Sequence, residues 1–445
     1  MKHQTQPAVP RVLVTAIAAA LIAAAGSVWA VPTYTVNKVV QTVKPHESDT
    51  VGNVWVASNE GNVEESAAGN GGITIFSVNN KVISTLSVEC GVANIPVINL
   101  DGSVWGNAPC GAEDHPRHPH GLDINSKTQR VYQVLEHSGL KWNADRTMIE
   151  PTADADEESG LLVEINISNP KNPTIVRGWL LGHAAEESAV NENNGKVYVG
   201  NHEPSPGVSP ASWVSVIKPN ASNPYVFIDL PEGDDIQGIA VDEPLNRVFG
   251  TTHVGQKMYA FNSATDVTAY TVDIRGPFDT QVGGVEAGDV LHMHDLAVDT
   301  KTHRVYQTIH TLAPADAVEA PEGTVVVDED TETQGHWVAE VNTNNGNAVT
   351  IIDVPGVHAH FVDVDSGLKS VLVSGEHTGN LGVVDATSRT LKQVIQITPP
   401  DPTPPAPGEE ATEPEVHGVN INQQNHNAYI SDETDWNQTV TILKP

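Results

Sequence analysis

The sequence predicts an all-β chain, a seven-bladed β-propeller, on three observations. A unit of about sixty residues recurs along the chain, each unit carries apolar/polar alternation of period two, and Asn/Gly turns punctuate the alternating segments. Each unit opens on a polar residue and alternates up to an Asn or Asp. His120 to Asn125 is followed by Val131-Tyr132, Glu186 to Asn191 by Val197-Tyr198, and Gln237 to Asp242 by Val248-Phe249. His294 to Asp299 is followed by Val305-Tyr306, His360 to Asp365 by Val371-Leu372, and His417 to Asn422 by Ala428-Tyr429. Val54 to Asn59 is a seventh, incomplete copy, and residues 31–53 carry too little pattern to place its first strand.

Two further alternating segments complete each copy, as in Leu161 to Ile167 and Thr174 to Leu181. Four strands per copy and seven copies make seven blades. The last copy has three strands before Pro445, so Tyr34 to Val43 is expected to supply the fourth and close the ring, removing the exposed sheet edges of an open array.

Residues 1–30 read as a signal peptide: Lys2 and Arg11, an apolar stretch from Val12 to Ala25, and a small-residue cleavage site at Val28-Trp29-Ala30. The mature chain, 31–445, is expected to be a single propeller domain with a mobile Pro-rich insertion at 399–416, located in the periplasm or secreted. In that oxidising setting Cys90 and Cys110 are expected to form a disulfide. With 56 acidic against 23 basic side chains the formal charge is −33, which repels phosphate backbones and argues against nucleic acid as a partner. No apolar run after the leader is long enough to span a membrane.

Label the strands of a blade A to D from the axis outward. The A–B and C–D turns are short. The long insertions (Gly91 to Arg117, Ser138 to Gly160, Gly276 to Val290, Ala313 to Gly335, Pro399 to Pro414) all fall on the opposite face, where a site is expected.

That face also collects histidine. The start of strand A carries His120, Glu186, Gln237, His294, His360 and His417. Two residues earlier stand His118, His292 and His358, with His183 one residue off that register. Residues two apart on a strand point the same way, so each His-x-His pair is expected to present both rings to one side, toward the axis. The end of strand B carries His137, His202, His253, His310 and His377. Thirteen of the 19 His occupy these two places and are candidate metal ligands. No Cys lies among them, so a thiolate site is excluded. Many imidazoles with few carboxylates favour copper, with zinc second, over Mg, Ca or Mn. The inner set exceeds what one tetrahedral ion can use, so more than one ion is expected. Glu136 and Glu376 precede B-strand His, and Glu186 and Glu187 follow His183. These four are the candidates for proton chemistry.

Val54 to Asn59 and Val197 to Asn201 resemble the YVTN type of propeller repeat of exported bacterial proteins. The His-lined channel is similar in layout to the multicopper propeller enzymes thiocyanate dehydrogenase and nitrous oxide reductase, in the latter to the propeller domain only, since no CxxxC electron-entry motif is present. The resemblance implies an oxidoreductase with a multinuclear copper site, a small inorganic or one-carbon substrate and a periplasmic electron acceptor. It assigns no residue roles. The residues alone also admit a non-catalytic copper-handling protein or a plain interaction propeller.

Overall fold

The computed structural model describes residues 31–41, 45–51, 54–59, 71–89, 91–110, 117, 119–231, 233–283, 290–312, 317–319, 325–327, 332–399, 414–434 and 438–445. The leader, Cys90, His118 and most of the Pro-rich insertion lie outside them. Seven antiparallel blades follow one another along the chain. Blade 1 is Pro45–Val51, Val54–Asn59, Gly72–Ser77 and Val82–Ser87. Blade 2 is Pro119–Asn125, Arg130–Leu135, Leu161–Asn166 and Thr174–Leu180. Blade 3 is Ala185–Asn191, Lys196–Asn201, Trp213–Ile217 and Tyr225–Asp229, and blade 4 is Ile236–Asp242, Arg247–Thr252, Lys257–Asn262 and Val267–Asp273.

Blade 5 has a broken A strand, Val290–His292 and Leu296–Asp299, both paired with Arg304–Leu312, then Glu332–Asn342 and Ala348–Asp353. Blade 6 is Ala359–Asp365, Ser370–Gly375, Asn380–Asp385 and Thr390–Gln396. Blade 7 is Val416–Ile421, Ala428–Asp432 and Thr439–Lys444, and its fourth strand is the N-terminal Thr35–Gln41, antiparallel to Thr439–Lys444. The ring is closed as the sequence leads one to expect. Val40, Trp55, Phe76, Tyr429 and Ile442 share one apolar cluster across the seam.

Burial grades outward along each blade. Strand B is packed on both faces, so it reads as a nearly continuous apolar run, and Val197, Tyr198 and Val199 are all buried. The outermost strand of blade 6, Thr390–Gln396, alternates exposed and half-buried residues along its length. The A–B turns repeat one device: Gln129, Gly195, Asn246, His303, Lys369 and His426 all take a left-handed conformation. His303 and His426 are therefore turn residues on the plain face, each bonded to the preceding blade, His303 to Asp242 at 2.7 Å and His426 to Asp365 at 2.8 Å.

The insertions build structure of their own. Pro96–Ile98 and Val104–Asn107 form a hairpin added to the outer edge of blade 2, parallel to Thr174–Leu180. The buried Arg117 guanidinium ties this insertion down by donating to the carbonyls of Val88, Ala93, Ala108 and Pro109. Cys110, at the end of the same insertion, is disulfide-bonded. Among the described residues no helix is long and apolar enough to cross a membrane.

Neighbouring A strands touch all the way round. In blades 1, 2, 3, 4, 6 and 7 the A–B pairing slips near the start of strand A, between Pro119 and Leu122 in blade 2 and between Ala359 and Val362 in blade 6, for example. In blade 5 the strand breaks outright at Met293 to Asp295. The slip falls at the position that carries His120, Glu186, Gln237, His360 and His417. A bulge of this kind re-aims a side chain, and here it does so at the mouth of the channel.

Candidate metal centre

Strand A starts where strand B ends, because the two are antiparallel neighbours. In blade 5, His292 pairs directly opposite His310, and His294 stands in the strand break beside them. Their ring centroids are 4.1 Å apart for His292 and His294, and 5.2 Å for His294 and His310. One donor atom from each of the three lies within 4.8 Å of the others, and all three are buried. A second group is His358, Glu376 and His377, and a third is His360, Glu376 and His417. Glu376 belongs to both. Its Oε2 lies 3.3 Å from His360 Nε2 and 3.7 Å from His377 Nε2, and its Oε1 lies 3.1 Å from His417 Nε2. The groups adjoin: the rings of His294 and His360 are 3.9 Å apart, those of His310 and His358 4.3 Å.

Of the two described His-x-His pairs, His292 and His294 serve one group, and His358 and His360 serve two groups that meet at Glu376.

The rings are held in set orientations. His310 Nε2 faces the carbonyl of Ala359 in blade 6. The Gln237 amide nitrogen lies 2.9 Å from His294 Nδ1. His417 Nδ1 meets Glu433 and its Nε2 meets Glu376. Burial, with the neighbouring His360, His292, His310 and His253, holds His294 well below the usual imidazole range, so it is neutral. Burial alone would raise Glu376, but attraction to His360, His417 and His377 outweighs it and keeps the carboxylate ionised. Burial likewise opposes charge on His417, and Glu433 and Glu376 outweigh it, raising that ring well above its ordinary value. A d-block ion requires neutral imidazoles and ionised carboxylates, the states of His294 and Glu376, whereas His417 has to give up a proton to serve as a ligand.

The other candidates fall in three places. His253 continues the imidazole belt, its ring 4.4 Å from His292 and 5.3 Å from His202. His120, Glu136 and His137 cluster in blade 2, and Glu186 pairs with His202 in blade 3. His183 stands apart from the three donor groups, with Nδ1 2.6 Å from the Glu158 carbonyl and Nε2 3.1 Å from Glu203, so both nitrogens are engaged. Glu187 is buried one layer lower, against the backbone of Gly121.

Apart from Glu187, that lower layer is one the sequence reading missed. Asp49, Asp123, Glu187, Asp295, Asp363 and Asn420 line a cavity of about 240 Å³ in the channel below the imidazoles. Four of these carboxylates latch one blade to the next. Asp49 accepts from Ile124 N–H at 3.0 Å, Asp123 from Val190 at 2.6 Å, Asp295 from Val362 at 2.9 Å and Asp363 from Ile421 at 2.7 Å. For Asp49, Asp123, Asp363 and Asn420 the available signal was a polar residue at a strand position that is Ala189, Ala240 and Ala297 in other blades.

No known family's sequence pattern matches the chain, and no curated protein matches it.

Proposed function

We propose that this chain is an exported oxidoreductase that binds more than one copper ion in the channel mouth between blades 5, 6 and 7 and oxidises or reduces a small inorganic or one-carbon molecule, exchanging electrons with a separate acceptor. The observation that carries this reading is the contiguity of the three donor groups: seven imidazoles from three blades, with Glu376 shared by two groups. The all-imidazole group of blade 5 suits copper, and none of the donors is a hard oxygen-only set.

Copper, when bound, supplies Lewis acidity and one-electron transfer. The chain's own residues do the rest. Gln237 and the Ala359 carbonyl orient the rings of His294 and His310. Buried walls hold those rings apart from bulk water. Of the four acids singled out in the sequence, Glu376 acts in this reading as a ligand. Glu187, which lines the cavity in the channel, is the proton acceptor.

The test is to load the mature protein with copper, count the metal by mass spectrometry, and assay oxidation of a panel of small inorganic anions with a dye acceptor. Wild type should bind more than one copper and turn over. Glu376→Gln and His294→Ala should each lose copper and activity. A wild type that binds no copper would leave an interaction scaffold, and full copper with no turnover across the panel would leave a copper-handling protein.

A further inference from the structure

The three donor groups are not equally open to solvent. His292, His294 and His310 are all buried, so the blade 5 group is sealed. The other two groups share Glu376 but differ in their histidines. His360 is buried and His417 half-buried, whereas His358 and His377 are both half-buried. The contrast is largest between the side chains of His360, 5% exposed, and His377, 27% exposed. An ion held by His358, Glu376 and His377 has the most direct way to water.

Phe361 covers the group of His360, Glu376 and His417. Its ring is buried and stands edge-on to His360, with centroids 4.8 Å apart and planes at 86°. The same ring lies 5.7 Å from that of His417. One apolar side chain thus packs on both imidazoles, one from blade 6 and one from blade 7. Its backbone N–H donates to the Ser374 hydroxyl at 3.1 Å, which ties it to strand B two residues before Glu376. The residue at this place is Gly121, Glu187, Gly238, Asp295 and Gly418 in blades 2, 3, 4, 5 and 7, small or acidic each time. The His358 ring has a different neighbour: in the third strand of blade 5 it meets Gly335, which has no side chain to lay over it.

Charge decides what kind of ligand enters. The two groups that meet at Glu376 offer four imidazoles and that one carboxylate, and Glu433 adds a second carboxylate at His417. Two divalent ions against two carboxylates leave positive charge behind, and bound ions are the largest local charges in such a site. An anion neutralises the excess. The crowding of the rings, 4.3 Å between those of His310 and His358, keeps it small.

We propose that the group of His358, Glu376 and His377 is where a small coordinating anion enters from solution, and that Phe361 keeps such an anion off the group of His360, Glu376 and His417. Phe361 is then a specificity-determining residue: it decides which of two neighbouring ions is open. The inference rests on the copper reading and adds to it the place and the charge of the incoming ligand.

The experiment is an azide titration of the copper-loaded mature protein, followed by the azide-to-copper charge-transfer absorption, with copper counted in each sample by mass spectrometry. Wild type should bind one azide per chain. His377→Ala should lose that azide together with one copper. Phe361→Ala should keep the wild-type copper count and bind a second azide, and Phe361→Leu gives the same reading if the alanine variant does not fold. Three results overturn the proposal and leave the copper reading standing: no azide on copper-loaded wild type, full azide binding by His377→Ala, or a folded Phe361 variant that takes up no second azide. A wild type that binds no copper overturns the copper reading, and this inference falls with it.

Discussion

At the scale of single residues, what distinguishes one histidine from another is what its second nitrogen touches. His303 and His426 spend Nδ1 on an aspartate and hold a turn, and His183 has both nitrogens engaged. His294 and His310 each have one nitrogen at an orienting partner and belong to a group of donors drawn close together. Gln237 is the partner most open to test. It is buried, and its amide nitrogen, which can only donate, stands 2.9 Å from His294 Nδ1 and orients that ring. Gln237→Leu is expected to weaken copper binding by roughly 10–100-fold, the usual cost of losing such a partner, while the melting temperature in the metal-free state stays close to wild type. Competition with a chelator of known affinity measures it, and unchanged affinity would remove Gln237 from the site. Residue types were legible in the sequence at this scale, because thirteen His recur at two places in the repeat. Which nitrogen each one offers was not, since that depends on contacts between different blades.

At the scale of strands, the site is made by the slipped start of strand A. His358 and His360 serve two donor groups that meet at Glu376, and the register slips beside them, between Ala359 and Val362. Sequence alternation cannot reveal a bulge at the very start of a strand, because too few residues precede it to show the change of phase. The first strand of blade 1 escaped for a related reason: Pro45–Val51 reads PHESDTV, with no apolar alternation to mark it, and its place follows only from pairing with Val54–Asn59. Another strand sets the outer wall of the site. Gly335, in the third strand of blade 5, packs so closely that a Cβ there would stand 2.5 Å from His358 Nε2 and 3.1 Å from His310 Cδ2. Gly335→Ala should therefore push the His358 ring away and lower metal occupancy in a protein that still folds. Metal counting beside circular dichroism checks this, and full occupancy would show that the ring has room to move.

For the whole molecule, ring closure and channel chemistry are one problem. The aspartates that latch blade to blade are buried together under a surface of net charge −33. Burial pushes Asp49 up to about 6, and burial with the charges of Asp295 and Asp49 pushes Asp363 up to about 8. In the unfolded chain these groups return to their ordinary value near 4. The folded state then holds protons that the unfolded state has lost, so the stabilisation is complete below that ordinary value and is lost as pH rises through 6 and then 8. Thermal unfolding should occur at falling temperature from about pH 5 to about pH 9. Asp363→Asn keeps an acceptor for the Ile421 N–H but cannot ionise. It should flatten this dependence and melt higher than wild type at the alkaline end. An unchanged slope would place the pH sensitivity elsewhere.

The claim on which the rest depends is that imidazoles from blades 5, 6 and 7 hold copper together. Crystals of the copper-loaded mature protein, measured on both sides of the copper absorption edge, test it most directly. Anomalous peaks are predicted between His292, His294 and His310, between His358, Glu376 and His377, and between His360, Glu376 and His417. Peaks confined to the outer surface of the blades, or none in the channel mouth at full copper loading, would contradict the account.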